Sequence, residues 1–249
     1  MELDKPDQRK TRCDTIIARL RETFPDAHCA LHYADALQLL VATILSAQCT
    51  DVRVNMVTPR LFKRFPDVQA LAEAEPAEIE KIIQSTGFFR SKARAIQQTA
   101  RDIIAHYGGQ VPQTMEELTS LRGVGRKTAN VVLGNAFEKN CGIVVDTHVG
   151  RIARRLELSQ HTDPEKVEQD LMRLVPQHLW ALFSHLLIAH GRTYCTARNP
   201  RCADCPISSP CPSAPILSEA SGVRGVKTGL RAGKRKTGRC VMPKKRARR

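Results

Sequence analysis

Apolar residues recur at helical spacing along most of the chain, and few stretches alternate with the period of two that a half-buried strand requires. Ile16, Ile17, Leu20 and Phe24 form a first stripe, which Pro25 interrupts. Leu37, Leu40, Val41, Ile44 and Leu45 form a second. Val54, Val57, Leu61 and Phe65 form a third, with Asp51 as the expected N-cap. Residues 76–83 read as a helix with Pro76 in its first turn, and residues 91–106 as another, ended by Gly108-Gly109. Thr114 with Glu117 three residues on has the capping-box form for a short helix, and a further helix starts at Arg126. β-branched runs are short and no internal repeat is evident. The pattern predicts an all-α fold of short helices over residues 11–188.

The longest nearly apolar run, residues 180–189, contains Ser184 and His185 and is well short of a membrane span. The opening Met1-Glu-Leu-Asp-Lys-Pro has no apolar h-region, so no secretory signal is expected. These features predict a soluble intracellular chain with no membrane partner. At 249 residues and 42% apolar, it has room for one large or two modest domains, and wholesale disorder is excluded.

Charge changes this picture more than composition does. The formal net charge of +14 points to a polyanion, above all nucleic acid. Its distribution is uneven. Residues 213–249 hold 12 Lys and Arg against one acid, Glu219, which leaves 27 basic and 24 acidic groups for everything before them. A tail of this composition cannot bury enough apolar surface to fold alone. It reads as a salt-sensitive tether to a nucleic-acid backbone, with a solubilising tail or a nuclear address as alternatives. Only 11 residues are Phe, Tyr or Trp, too few for the aromatic platforms on which single-strand binders stack bases.

Nine cysteines in such a chain are not expected to form disulfides. Cys13, Cys29, Cys49, Cys141 and Cys240 are scattered and read as small core or surface thiols. Cys195, Cys202, Cys205 and Cys211 crowd into a C-x6-C-x2-C-x5-C pattern. Four thiolates that close in sequence can converge on zinc or on an iron–sulfur cluster. Zinc sites usually come as two C-x2-C knuckles and this loop has one, which favours a 4Fe–4S cluster. Arg198 and Arg201 lie between the first two cysteines, with Pro200, so the loop can grip phosphate.

Gly123-Val124-Gly125 forms a tight turn between two helices, followed by Arg126-Lys127-Thr128-Ala129. Glycine permits positive φ and close approach of the backbone to a ligand. The free N–H groups and positive dipole end of the second helix suit a phosphate. This is the helix–hairpin–helix arrangement for holding a nucleic-acid backbone. Lys127 sits in the first turn of that helix. It reads either as another phosphate contact or as a nucleophile. An amine attacks only when neutral, and its ordinary pKa is about 10.4. A helix N-terminus and the neighbouring Arg126 both push that value down. Nineteen residues on, the apolar run Gly142-Ile-Val-Val delivers Asp146 to the start of another helix. Asp146 reads as a plain N-cap, or as a carboxylate that stabilises oxocarbenium-like charge at a reacting sugar. His148 reads as a structural or DNA-facing histidine.

The Gly-Val-Gly-Arg-Lys-Thr-Ala hairpin, then Val-Asp-Thr-His, then the C-x6-C-x2-C-x5-C loop together resemble the endonuclease III family of DNA glycosylases. Leu45-Ser-Ala-Gln48 followed by Thr50-Asp51 resembles the family's N-terminal motif, and the similarity runs over residues 16–211. The resemblance implies a two-lobed helical protein. A six-helix lobe would span residues 29–139, with the helix–hairpin–helix at about 114–133. Residues 1–28 and 140–212 would form an iron–sulfur cluster lobe carrying a 4Fe–4S cluster, and residues 213–249 a flexible basic tail. It implies a monomer acting on double-stranded DNA that contains damaged bases or abasic sites. Lys127 would attack C1′ of a flipped nucleotide, Asp146 would support the developing charge, and the Schiff base would permit β-elimination. Oxidised pyrimidines such as thymine glycol are the family's main substrates. Gln48 would fill the gap left by the flipped base. Contacts to DNA would come from Gln48, Phe88, Arg122, Gly123, Val124, Gly125, Arg126, Thr128, His148, Arg198 and Arg201.

Two positions depart from the family's pattern. Arg122 stands where Pro commonly precedes the hairpin glycine, and Phe88 where an aliphatic wedge is common. Two rival functions remain open on the sequence. An adenine glycosylase acting at oxidised-guanine mispairs generally lacks the hairpin lysine and uses a Glu on an early helix, whereas residues 37–50 contain no carboxylate. A non-enzymatic DNA-binding protein with a structural zinc would be colourless rather than brown. The lack of a long N-terminal extension suggests a bacterial protein residing with the nucleoid.

Overall fold

The computed structural model describes residues 6–217, so most of the basic tail expected at 213–249 lies outside the described residues. The described residues hold eleven α-helices, two short 3-10 turns and a last helical stretch at 214–217, and no strand. The helices are α1 (Pro6–Thr23), α2 (Ala36–Leu45), α3 (Asp51–Arg64), α4 (Val68–Glu73), α5 (Pro76–Ile83), α6 (Phe89–Tyr107), α7 (Met115–Ser120), α8 (Arg126–Ala136), α9 (Thr147–Arg155), α10 (Pro164–Leu174) and α11 (Trp180–Thr193). No helix of the described residues is long and apolar enough to cross a membrane.

The helices build two hydrophobic cores. The first gathers α2 to α8, from Leu31 to Leu133, around the nearly apolar α2, whose residues Leu39 to Leu45 are all buried. The second joins α1 to α9, α10 and α11 through Cys13, Ile16, Ile17, Leu20, Ile152, Leu171, Phe183 and Leu187. The N-terminal helix thus packs with the C-terminal ones, and the chain passes from one core to the other after α1 and again after α8.

Local chemistry sets the helix ends. Asp35 caps α2 by accepting from the Gln38 amide at 2.8 Å. α3 is capped by Thr50, which accepts from the Arg53 amide at 3.3 Å, so the expected cap at Asp51 is off by one residue. Asp51 is instead the first helical residue, where its charge meets the positive dipole end. It also pairs with Arg192 of α11 at 2.6 Å, a link between the two cores. α6 begins two residues before the expected start and ends at Gly108, in the left-handed region at φ 59°. Thr114 caps α7, but the capping box is closed differently from the usual form. The Thr114 hydroxyl accepts from the Glu117 amide at 3.3 Å and donates to the Glu117 carboxylate at 2.8 Å. The six-residue α4 is too short to leave a periodic signature in the sequence.

Candidate active site

The hairpin between α7 and α8 is fixed from behind by α6. Thr99 donates to the Arg122 carbonyl at 2.8 Å, and Gly123 adopts φ 79° with Ala95 beneath it. A Cβ on Gly123 would lie 3.1 Å from the Ala95 Cβ, so conformation and packing both call for glycine there. Val124 is buried, which leaves its backbone rather than its side chain to any ligand. Gly125 differs. It is the N-cap of α8, it makes no side-chain capping bond, and a Cβ there would meet nothing within 4 Å. Packing inside the protein does not call for glycine at 125. Its bare backbone leaves the first N–H groups of α8 open to an approaching phosphate.

Lys127 is the second residue of α8 and is exposed at this open end. Arg126, expected to touch DNA and to lower the Lys127 pKa from beside it, has a partner within the protein. Its guanidinium turns back onto the buried Glu168 of α10, Nε to Oε2 at 2.7 Å and Nη2 to Oε1 at 3.1 Å. The hydrogen bonds to Glu168 raise its pKa, the largest of several influences. Asn130 donates to the same carboxylate at 2.9 Å. Arg126 therefore ties the start of α8 to the second core, and its positive charge is spent there. Gly142 closes this cluster from the far side, since a Cβ on it would lie 2.0 Å from Glu168 Oε1.

Asp146 is the N-cap of α9. Its Oδ1 accepts from the His148 and Val149 amides, both at 2.8 Å, and its Oδ2 lies 3.2 Å from His148 Nδ1. Both oxygens are thus oriented while the side chain stays 19% exposed. Asp146 caps α9 through Oδ1, while Oδ2 keeps a lone pair open to a ligand. His148 acts as a support for Asp146 and packs against Gly191.

Gln48 and Phe88 occupy two loops beyond the hairpin. Both take left-handed backbone conformations, at φ 52° and φ 47°, and the Phe88 side chain is 68% exposed. Arg122 is exposed, and Thr128 half-buried in the first turn of α8. Arg198 is exposed on the cysteine loop. Arg201 pairs with Asp204 at 3.1 Å and lies over the Tyr194 ring, a solvent-facing arrangement that costs little to rearrange.

The cysteine loop is held by α9. Arg155 donates to Cys195 Sγ at 3.1 Å, to the Thr196 carbonyl at 2.8 Å and to the Ala197 carbonyl at 2.9 Å. Arg151 donates to the Cys195 carbonyl at 3.0 Å. Burial first, and then the charges of Cys211, Cys195 and Cys202, push the Cys205 thiol up to about 11. Four thiols in one short loop suit a bound metal centre, which takes them as thiolates and displaces their protons. Among the described residues no three His, Cys, Asp or Glu side chains close around a single ion.

Sequence reasoning missed Glu168, Asn130, Arg155 and Lys92. Lys92 carried a signal, because it falls within the apolar stripe of α6 formed by Ala93, Ile96, Ala100 and Ile103.

Helices crowded around a glycine hairpin, with an exposed lysine and an oriented carboxylate at two helix starts, define a helix–hairpin–helix repair protein. Residues 41–177 match the HhH-GPD superfamily base excision DNA repair protein family, and residues 195–211 match the iron–sulfur binding domain of endonuclease III. An endonuclease III of Synechocystis sp. is 53% identical over 212 residues, covering 85% of this chain and 97% of that protein. One from Bacillus subtilis is 44% identical, covering 78% of this chain and 88% of that protein. A solved structure of a trapped endonuclease III–DNA covalent intermediate superposes with a TM-score of 0.80 at 40% identity, covering 84% of this chain and 98% of that one. The chain belongs to the endonuclease III family, and its cysteine loop is that family's iron–sulfur site. Both relatives are bacterial.

Proposed function

We propose that this chain is a bifunctional DNA glycosylase and AP lyase of base excision repair, with Lys127 as nucleophile and Asp146 as its carboxylate partner. The observation that carries these roles is the open start of α8, where Gly125 offers no cap and Lys127 stands exposed in the first turn. Duplex DNA lies along this face, between lobes at residues 29–139 and at residues 1–28 with 140–212. The oxidised pyrimidine is flipped out of the stack. Backbone N–H groups at Gly123 to Gly125 and at the start of α8 hold its phosphates, with Arg122, Thr128 and Arg198 beside them. Gln48 and Phe88 occupy the space the base leaves.

The neutral Lys127 amine bonds to C1′ as the bond from C1′ to the base breaks, and the base departs with a proton. Asp146 Oδ2 offsets the positive charge that grows on the sugar and moves the proton. The Lys127 nitrogen loses a proton and its lone pair then expels O4′ from C1′, O4′ taking up a proton as the sugar ring opens. The Schiff base so formed acidifies C2′, and loss of that proton expels the 3′ phosphate. The iron–sulfur cluster, when bound by Cys195, Cys202, Cys205 and Cys211, cross-links the loop that carries Arg198. In the cell the protein works as a monomer on the nucleoid. Wild type should nick a thymine-glycol duplex. Asp146→Asn should lower that rate by at least about 100-fold, and Lys127→Gln should abolish it. Nicking by Lys127→Gln at the wild-type rate would overturn the assignment.

A further inference from the structure

Lys92 is a deeply buried cation of the first core, with 6% of its surface exposed. A buried ammonium is costly unless its donors are satisfied. Two of its three are. Nζ donates to the Leu45 carbonyl at 2.8 Å and to the Thr86 carbonyl at 2.8 Å. Leu45 is the last residue of α2, and Thr86 ends the 3-10 turn Gln84–Thr86. One positive charge thus closes the negative ends of two helical segments.

Each of those carbonyls leads directly into a loop tip. Gln48 comes three residues after Leu45, and Phe88 two residues after Thr86. Both are non-glycine residues in the left-handed region, at φ 52° and φ 47°. Such a conformation costs on the order of 1–2 kcal/mol and persists only where the surroundings impose it. The second tip is also the N-cap of α6, its Phe88 carbonyl accepting the first helical hydrogen bond from the Lys92 amide at 3.0 Å. The two strained tips therefore share one anchor. Burial lowers the Lys92 pKa, which agrees with an amine enclosed by protein rather than one placed to meet phosphate.

We propose that Lys92 is a positioning residue that sets the spacing of Gln48 and Phe88, so that both enter the duplex together when the damaged base leaves. This rests on the proposed insertion of Gln48 and Phe88. Lys92 touches neither DNA nor the reacting sugar and acts only through the two loops. A residue needed for stability alone would lower activity on every substrate. A positioning residue lowers it where a gap must be filled.

The test is a ratio of β-elimination rates, at an abasic site in a duplex over the same site in a single strand, where no partner base remains to be held. Lys92→Met should lower the duplex rate on the order of 10- to 100-fold and the single-strand rate less than about threefold. Gln48→Ala and Phe88→Ala should lower the same ratio. If they do and Lys92→Met does not, the role of Lys92 is refuted while the insertion stands. If neither Gln48→Ala nor Phe88→Ala lowers it, the insertion itself fails, and Lys92 with it. Should Lys92→Met not fold, Lys92→Gln, which keeps polar donors but loses the charge and one atom of length, carries the same test. Amide hydrogen exchange on the DNA-free protein gives a second readout. The substitution should speed exchange at residues 46–49 and 84–89 together and leave α10 unchanged. Acceleration of one loop alone, or of neither, would overturn the shared anchor.

Discussion

Replacing Glu168 by Gln tests whether Arg126 serves the fold or the DNA. The Glu168 side chain is 6% exposed and its partner Arg126 41% exposed. Breaking a fully buried pair costs about 3–5 kcal/mol, because one charge is left stranded. Here the stranded group is Arg126, which can turn to water, so the cost falls below that range. The substituted amide would keep an oxygen for Asn130 and for Arg126 Nη2, now at 2.9 and 3.1 Å from Oε1. Its nitrogen would then face Arg126 Nε, a donor against a donor, where a 2.7 Å charge-assisted bond now stands. One such bond lost and one donor left unmatched come to about 2–3 kcal/mol. For a chain of this size that is a fall in Tm of about 5–10 °C. Thermal unfolding of both proteins by circular dichroism measures it, with Arg126→Gln alongside. The structural role predicts that both variants lose comparable stability. Stability within about 0.5 kcal/mol of wild type, together with weakened DNA binding by Arg126→Gln, would restore Arg126 to the DNA and refute the pin.

Gly142→Ala places a Cβ 2.0 Å from Glu168 Oε1 and 2.6 Å from Asn130 Nδ2, so the cluster must open. Urea unfolding should show a loss of at least about 2 kcal/mol, and a neutral result would mean the contact is loose in solution. His185 is held at a pKa of about 4, chiefly by burial and then by His28, while its ring bonds Asn135 at 2.7 Å. Its folded pKa is lowered, so the unfolded chain takes the proton first. Its share of stability is complete above pH 6.5 and is lost as the pH falls toward 4. That share is about 3 kcal/mol, and His185→Gln should remove it from the acid limb of the stability curve. An unchanged limb would contradict this. Truncation after Leu217 removes 12 basic residues and Glu219. It should weaken DNA binding and flatten its dependence on salt, and an unchanged salt slope would exclude the tether.

The elements that were legible in the sequence are those whose signal is local. The apolar stripes of α1, α2, α3 and α6 announce helices, and Thr114, Gly108 and the paired glycines announce their ends. The hairpin, Lys127, Asp146 and the four cysteines are legible because each lies in a short motif. What stayed hidden depends on partners distant in sequence. Arg126 meets Glu168 across 42 residues, and Lys92 reaches back 47 residues to Leu45. Glu168 does not announce itself, since a Glu in a helical pattern reads as solvated until packing encloses it, and the apolar stripe around Lys92 signals its burial but not the carbonyls it meets. Arg126 hid its partner for the same reason. Its position beside Lys127 points to phosphate, and only the approach of α10 shows where its charge goes. The cap at Thr50 rather than Asp51 reflects a different limit, because either residue can cap and the tie to Arg192 across the cores decides it.

Borohydride reduction during turnover puts the nucleophile itself to the test. Lys127, exposed at the uncapped start of α8, should join C1′ of lesion DNA through a reducible imine, and mass mapping should place the reduced link on Lys127. Lys127→Gln should leave no covalent product. A wild-type protein that nicks thymine-glycol DNA yet never traps, or a link that maps to another residue, would contradict the role given to Lys127.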